Sequence, residues 1–144
     1  MRCRRDLVIS SELANVPRVA RSVRLLCLDL GVGATETAEI ELAVVEAVNN
    51  AIQHAYDMCA GHEVAFSIEV DDEYVMARVR DSGRAMPPGL LEAVPAQPSF
   101  EAEAPGGGMG LVIMKQIMDR VCYESAGGQN VLTLLRFLPR ELRS

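Results

Sequence analysis

Glu46 and Asn50 are a carboxylate and an amide four residues apart, and Gln53, His54 and Asp57 continue the same helical face at offsets 7, 8 and 11 from Glu46. On an arbitrary helix such a stripe is a solvated face. Asn49 and Asn50 side by side in mid-helix are nevertheless a poor choice for helix formation, because the amide competes for backbone partners. A carboxylate and an amide on one face can supply a base and an oxygen ligand to one bound group, and magnesium takes hard oxygen donors of this kind while keeping other positions for water and phosphate. Asp81 continues the parity of Val75, Ala77 and Val79, so a strand directs a carboxylate toward the core before Ser82 and Gly83 end it. Such a carboxylate needs donors, either turn amides or a ligand's amino group, and Gly83 would let a planar ring approach the backbone. The third feature is Pro105-Gly106-Gly107-Gly108-Met109-Gly110-Leu111, which leads into a helix and reads either as a hinge or as an anion cradle of exposed amides. No Lys-Ser or Lys-Thr follows these glycines, so they are not a P-loop, and their spacing is not that of a dinucleotide fingerprint.

These residues need elements to hold them. Residues 5 to 10 read as a first strand; Asn15 then serves as an N-cap, with Pro17 in the first turn of a helix whose Val16, Val19, Val23, Leu26 and Leu30 repeat until Gly31. A longer helix is expected from Glu36 to Met58, with Leu42, Val45, Val48, Ile52 and Ala55 as its apolar stripe. Period two then marks a strand from His62 to Val70 and another through Val75 to Val79. The stretch from Asp81 to Gly110 holds five of the seven prolines and six of the eleven glycines and reads as a long loop, a length usually reserved for lids and binding loops. A helix over Leu111 to Met118 and strands over Arg120 to Glu124 and Val131 to Leu138 complete the chain. The expectation is an α+β fold, a two-layer sandwich with helices on one face of a mainly antiparallel, mixed sheet.

At 144 residues the whole chain, 1 to 144, is expected to be one domain. A net charge of -6 argues against nucleic-acid binding. No apolar run approaches a membrane span and no signal peptide leads the chain, so a cytoplasmic protein without membrane association is expected. Cys3, Cys27, Cys59 and Cys122 lack metal or redox spacing and read as reduced structural thiols, Cys27 and Cys122 in apolar surroundings.

Taken in order, Glu46 to Tyr56 resembles the N box, Asp81 to Pro87 the first glycine box and Gly106 to Leu111 the second glycine box of the ATPase superfamily shared by gyrase, histidine kinases and the MutL repair proteins, known as GHKL and built on the Bergerat fold. Within it the chain looks most like the bacterial anti-sigma factor serine kinases of the RsbW and SpoIIAB type, over nearly its whole length. The resemblance implies ATP and Mg²⁺ as cofactors, with Glu46 as general base or orienting group and Asn50 as the Mg²⁺ ligand. It implies that Asp81 accepts from the adenine amino group with Gly83 beneath the ring. His54, Met86 and Thr133 complete the nucleotide site, and Gly106, Gly107, Gly108, Met109, Gly110 and Leu111 wrap the phosphates in a lid of about 82–110. A threonine that often supports adenine in the last strands of the family has no clear match here; Asn130 or Thr133 could stand in for it.

Two departures stand out. Ala85 replaces the second glycine of the first box, and no Lys or Arg lies between Arg84 and Lys115, so an arginine seen in some relatives' lids is missing. The implied function is an ATP-dependent protein serine kinase that phosphorylates a small STAS-domain antagonist and sequesters a sigma factor or similar client, as a homodimer. A sequestering module without phosphotransfer is the alternative. A histidine-kinase catalytic fragment fares worse, because no His-bearing dimerisation helix precedes Asn15. The first 24 residues carry Arg2, Arg4, Arg5, Arg18, Arg21 and Arg24 against Asp6 and Glu12, either a solvated face or a docking surface for an acidic partner.

Overall fold

The computed structural model describes residues 2–95 and 109–139. Strand β1 (Cys3–Ser10) opens the chain, and a short 3-10 turn (Leu13–Asn15) leads into α1 (Val16–Asp29). Helix α2 (Ala34–Asn50) follows and runs on into a π-helical segment, Ala51–Ala55. Strands β2 (Glu63–Val70) and β3 (Tyr74–Asp81), helices α3 (Leu90–Ala93) and α4 (Met109–Ile117), and strands β4 (Arg120–Ala126) and β5 (Gln129–Phe137) complete it. The sheet order is β1-β2-β3-β5-β4, and every neighbouring pair is antiparallel.

Alternation builds one buried sheet face. Phe66, Val79 and Leu132 stand in register across three strands, as do Ile68, Ala77 and Leu134, and all six are buried under the helices. Each large aliphatic or aromatic side chain hidden in this way contributes roughly 1.5–3 kcal/mol. The opposite sheet face carries the exposed Arg78 and Arg80 and the half-buried Thr133. Among the described residues no helix is long and apolar enough to cross a membrane.

Several expectations change. The buried stripe of α2 is Thr37, Ile40, Ala43, Val44, Ala47 and Val48, because the helix is covered from both sides by α1 and α4, whereas Leu42 is 46% exposed. The helix does not run regularly to Met58: after the π-helical segment, Asp57 and Met58 take left-handed φ of 56° and 63° and turn the chain away. Asn15 stands at the N-cap position of α1, but its amide donates back to the Ser10 carbonyl at 3.2 Å instead of capping. Cys27 is buried as expected, while Cys122 points outward from β4 and is exposed, since its parity is opposite to that of Val121 and Tyr123. The stretch expected to be loop contains α3, whose Leu91 enters the core together with Val94, and Lys115 Nζ donates to the Val94 carbonyl at 2.8 Å. Gly106, Gly107 and Gly108 lie outside the described residues.

Candidate functional site

Asp81 ends β3 on the buried side, 8% exposed, directly across from Asn130 of β5. Its Oδ1 receives the Gly83 N–H at 2.9 Å and the Asn130 amide at 2.7 Å. The same Asn130 nitrogen donates to the Gly83 carbonyl at 3.0 Å, and Ser125 Oγ lies 2.7 Å from Asn130 Oδ1. With its nitrogen engaging two acceptors and its oxygen facing a hydroxyl, the amide has one sensible orientation. Among the described residues no hydrogen bond reaches Asp81 Oδ2. That oxygen is the acceptor left for a ligand in a cavity of about 390 Å³, whose polar wall is Asp81, Arg84, Tyr123, Asn50 and His54 and whose apolar wall includes Leu111.

A second cavity of about 220 Å³ adjoins the first, sharing Asn50, His54 and Leu111. Here α2 faces the start of α4: Glu46, Asn49, Asn50 and Gln53 stand on one side, Met109, Gly110 and Leu111 on the other. The contact is close at Gly110, where an added Cβ would fall 2.9 Å from Glu46 Oε2. The π-helical segment begins immediately after Asn50 and carries His54 along the edge of both cavities. Widened turns of this kind often occur where a helix re-aims side chains at a ligand.

The turn after β3 is fastened at several points. Gly83 packs against the end of the π-helical segment so tightly that a Cβ would lie 2.3 Å from the Ala55 carbonyl oxygen and 2.9 Å from Tyr56 Cδ1. The glycine is thus needed for the approach of Ala55, a different reason from the expected approach of a ring. Arg84 N–H donates to the Ala55 carbonyl at 2.8 Å, and its guanidinium to the His54 carbonyl at 3.2 Å. Tyr56 accepts from Ser82 N–H and donates to the Glu63 carbonyl, each at 2.7 Å. Tyr123 accepts from Met86 N–H at 2.8 Å. Burial pushes the Tyr123 phenol above its ordinary value of 10.0; the Met86 amide opposes the rise and the charge of Asp81 adds to it.

Glu46, Asn50, His54, Asp81, Met86, Met109, Gly110 and Leu111 therefore line the two joined cavities, and Gly83 buttresses them. Thr133 does not join them. Its odd position on β5 puts it on the open sheet face beside Arg78 and Cys122, so Asn130 is the β5 residue that meets Asp81. The sequence reading missed Tyr123, for which the alternation of Val121 and Tyr123 on β4 was the available signal, and Leu90. Among the described residues no three His, Cys, Asp or Glu side chains cluster as a metal cage.

A family model described as the histidine kinase-like ATPase domain matches residues 9–136. The chain belongs to that family. The anti-sigma F factor of Geobacillus stearothermophilus is 33% identical over 138 residues, covering 94% of this chain and 92% of that protein. The anti-sigma F factor of Bacillus subtilis is 38% identical over 93 residues, 63% of this chain and 62% of that one. Among solved structures, the RsbU and RsbW domains of a Mycobacterium tuberculosis protein superpose with a TM-score of 0.63 at 18% identity, covering 94% of this chain and 33% of that one. The SiaB-SiaC complex of Pseudomonas aeruginosa gives 0.58 at 11% identity, covering 92% and 89%. These two similarities establish the fold, the α+β sandwich expected from the sequence. Membership of an ATPase-domain family implies that the chain binds a nucleotide.

Proposed function

We propose that this chain is a partner-switching anti-sigma factor: an ATP-dependent protein serine kinase that phosphorylates a small STAS-type antagonist and sequesters a sigma factor or similar client, acting in the cytoplasm as a homodimer. The observation that carries the kinase reading is continuity of space. The Asp81 cavity joins the Glu46 cavity through Asn50, His54 and Leu111, and from Asn49 and Gln53 a groove of about 560 Å³ runs out between α1 and α2 past Val45, Ala20 and Leu13. A base held at Asp81 leaves its phosphates toward Asn50, with Glu46 between them and the open groove by which an acceptor hydroxyl enters.

In this reading Asp81 Oδ2 accepts from the adenine amino group, and Glu46 orients the acceptor hydroxyl or takes its proton. Mg²⁺ would be held by the amide oxygen of Asn50 and would offset charge on the phosphates. A lone amide suits this ion, which leaves its other positions to water and phosphate. Gly106, Gly107, Gly108 and Gly110 belong to the lid, and the N-terminus of α4 turns its amides toward the phosphates. The anti-sigma F factor of Geobacillus stearothermophilus, similar over nearly the full length of both chains, supports the client class.

A second reading keeps the nucleotide as a signal and omits phosphotransfer. One observation favours it: residues 85–114 contain no Lys or Arg, so the sequence between Arg84 and Lys115 supplies no cation for the γ-phosphate. Incubation of the full chain with labelled Mg-ATP and a purified STAS-type antagonist decides between them. Wild type should label the antagonist, and Glu46→Ala should lower labelling about 100-fold or more while ATP binding persists. Asp81→Asn should fold yet lose nucleotide affinity by at least about tenfold. The amide oxygen can keep the Gly83 and Asn130 bonds, which turns an NH₂ donor toward the donating adenine amino group. No labelling by wild type overturns the kinase reading in favour of sequestration alone.

A further inference from the structure

The Tyr123 hydroxyl has an unfinished hydrogen-bond inventory. A phenol accepts through its lone pairs and donates one proton. Tyr123 accepts from Met86 N–H at 2.8 Å, and among the described residues its own proton has no acceptor. The residue lines the same cavity as Asp81, whose Oδ1 is filled by Gly83 and Asn130 and whose Oδ2 meets no protein donor among the described residues. The cavity thus offers one acceptor and one donor, each fixed by a backbone or buried side-chain bond on its other side.

We propose that Tyr123 is a base-reading residue: its O–H donates to a ring nitrogen next to the amino group that Asp81 accepts, so the two side chains together recognise a 6-aminopurine. This rests on the nucleotide reading of the site. Adenine carries a donating amino group flanked by two acceptor nitrogens, N1 and N7; guanine presents a 6-oxo acceptor in place of that donor. A 6-oxopurine would set its oxygen against Asp81 Oδ2, two acceptors without a proton between them. Met86 N–H keeps the phenol in place, and burial beside Asp81 keeps its proton on. Of the other donor-bearing side chains on this wall, Asn50 and His54 stand where the second cavity joins and Arg84 is mostly exposed and donates to the His54 carbonyl, which leaves Tyr123 as the donor anchored beside Asp81.

Calorimetric titration of the full chain with ADP, 1-deaza-ADP and 7-deaza-ADP, for wild type and Tyr123→Phe, tests the assignment. Wild type should lose about tenfold in affinity on the one analogue that lacks the accepting nitrogen, and which analogue it is identifies the edge of the base being read. Tyr123→Phe should bind ADP about tenfold more weakly and show no further loss on that analogue. Equal affinity of wild type for all three ligands overturns the proposal. So does a deaza penalty that persists in Tyr123→Phe, because the hydroxyl would then serve only to tether Met86. Absence of ADP binding by wild type overturns the nucleotide reading itself and this proposal with it; ADP binding with either of the two preceding results overturns only the role of Tyr123.

Discussion

Cys27 has no exposed surface in α1, and burial pushes its thiol from the ordinary 9.0 up to about 12, with the nearby charge of Glu41 adding to the rise. In the folded protein the thiol therefore keeps its proton through a range in which the unfolded chain gives it up. The associated stability is complete below pH 9 and is lost as pH rises toward 12. Within that window the loss is about 1.4 kcal/mol per pH unit. Urea unfolding of wild type and Cys27→Ala at neutral and alkaline pH should show the variant losing less stability on going alkaline. An equal decline in both proteins would remove the thiol as the cause. At the same scale, strand parity alone separates Asn130, bonded to Asp81, from Thr133, three residues further along β5 and on the open sheet face.

The turn after β3 shows how elements, and not single side chains, make the site. Gly83 and Ala85 occupy two positions of one glycine-type motif, yet the fold treats them differently. Ala85 lies in a turn whose non-glycine residues all keep negative φ, so a methyl group costs nothing there. Gly83 faces the Ala55 carbonyl with no room for a Cβ. Gly83→Ala should destabilise the protein by about 2 kcal/mol and weaken nucleotide binding, by levering Arg84 N–H off the Ala55 carbonyl. Ala85→Gly should cost no more than about 1 kcal/mol, through the looser unfolded chain alone. Thermal melts of the two variants check this, and equal shifts would refute it. The same turn marks the limit of what could be read from residues alone. Period two and period 3.6 located the strands and helices, because burial on one face imposes those repeats. The π-helical segment left no such trace, and the residues that brace its end, Gly83 and Arg84 at the Ala55 carbonyl, are brought to it by tertiary packing. Asp81, Glu46 and Asn50 were legible because strand parity and helix spacing carry them, whereas Tyr123 required knowing which face of β4 meets the cavity.

At the scale of the whole molecule, a chain of net charge -6 concentrates positive charge on its first strand and helix. Part of that charge is neutralised within the fold. Arg2 pairs with Glu69 at 3.0 Å, Arg4 with Asp6 at 3.0 Å and Arg24 with Glu41 at 2.7 Å. Arg18 and Arg21 make no ion pair among the described residues. With Leu25 and Leu28 they fall at helical offsets 0, 3, 7 and 10, one outward stripe of α1 on which the leucines are 49% and 46% exposed. Two cations followed by two exposed leucines suit a client with an acidic segment next to an apolar one. Exposed charges act over about 10 Å at 0.1 M salt, so their contribution shows first in association rate and in salt dependence. The double variant Arg18→Glu, Arg21→Glu should bind an acidic client about tenfold more weakly at low ionic strength, and the gap to wild type should narrow as salt is raised. Melting temperature and ADP affinity should stay at wild-type values, because neither arginine lines a cavity of the site or packs in the core. Binding unchanged at every salt concentration would move the docking surface away from α1.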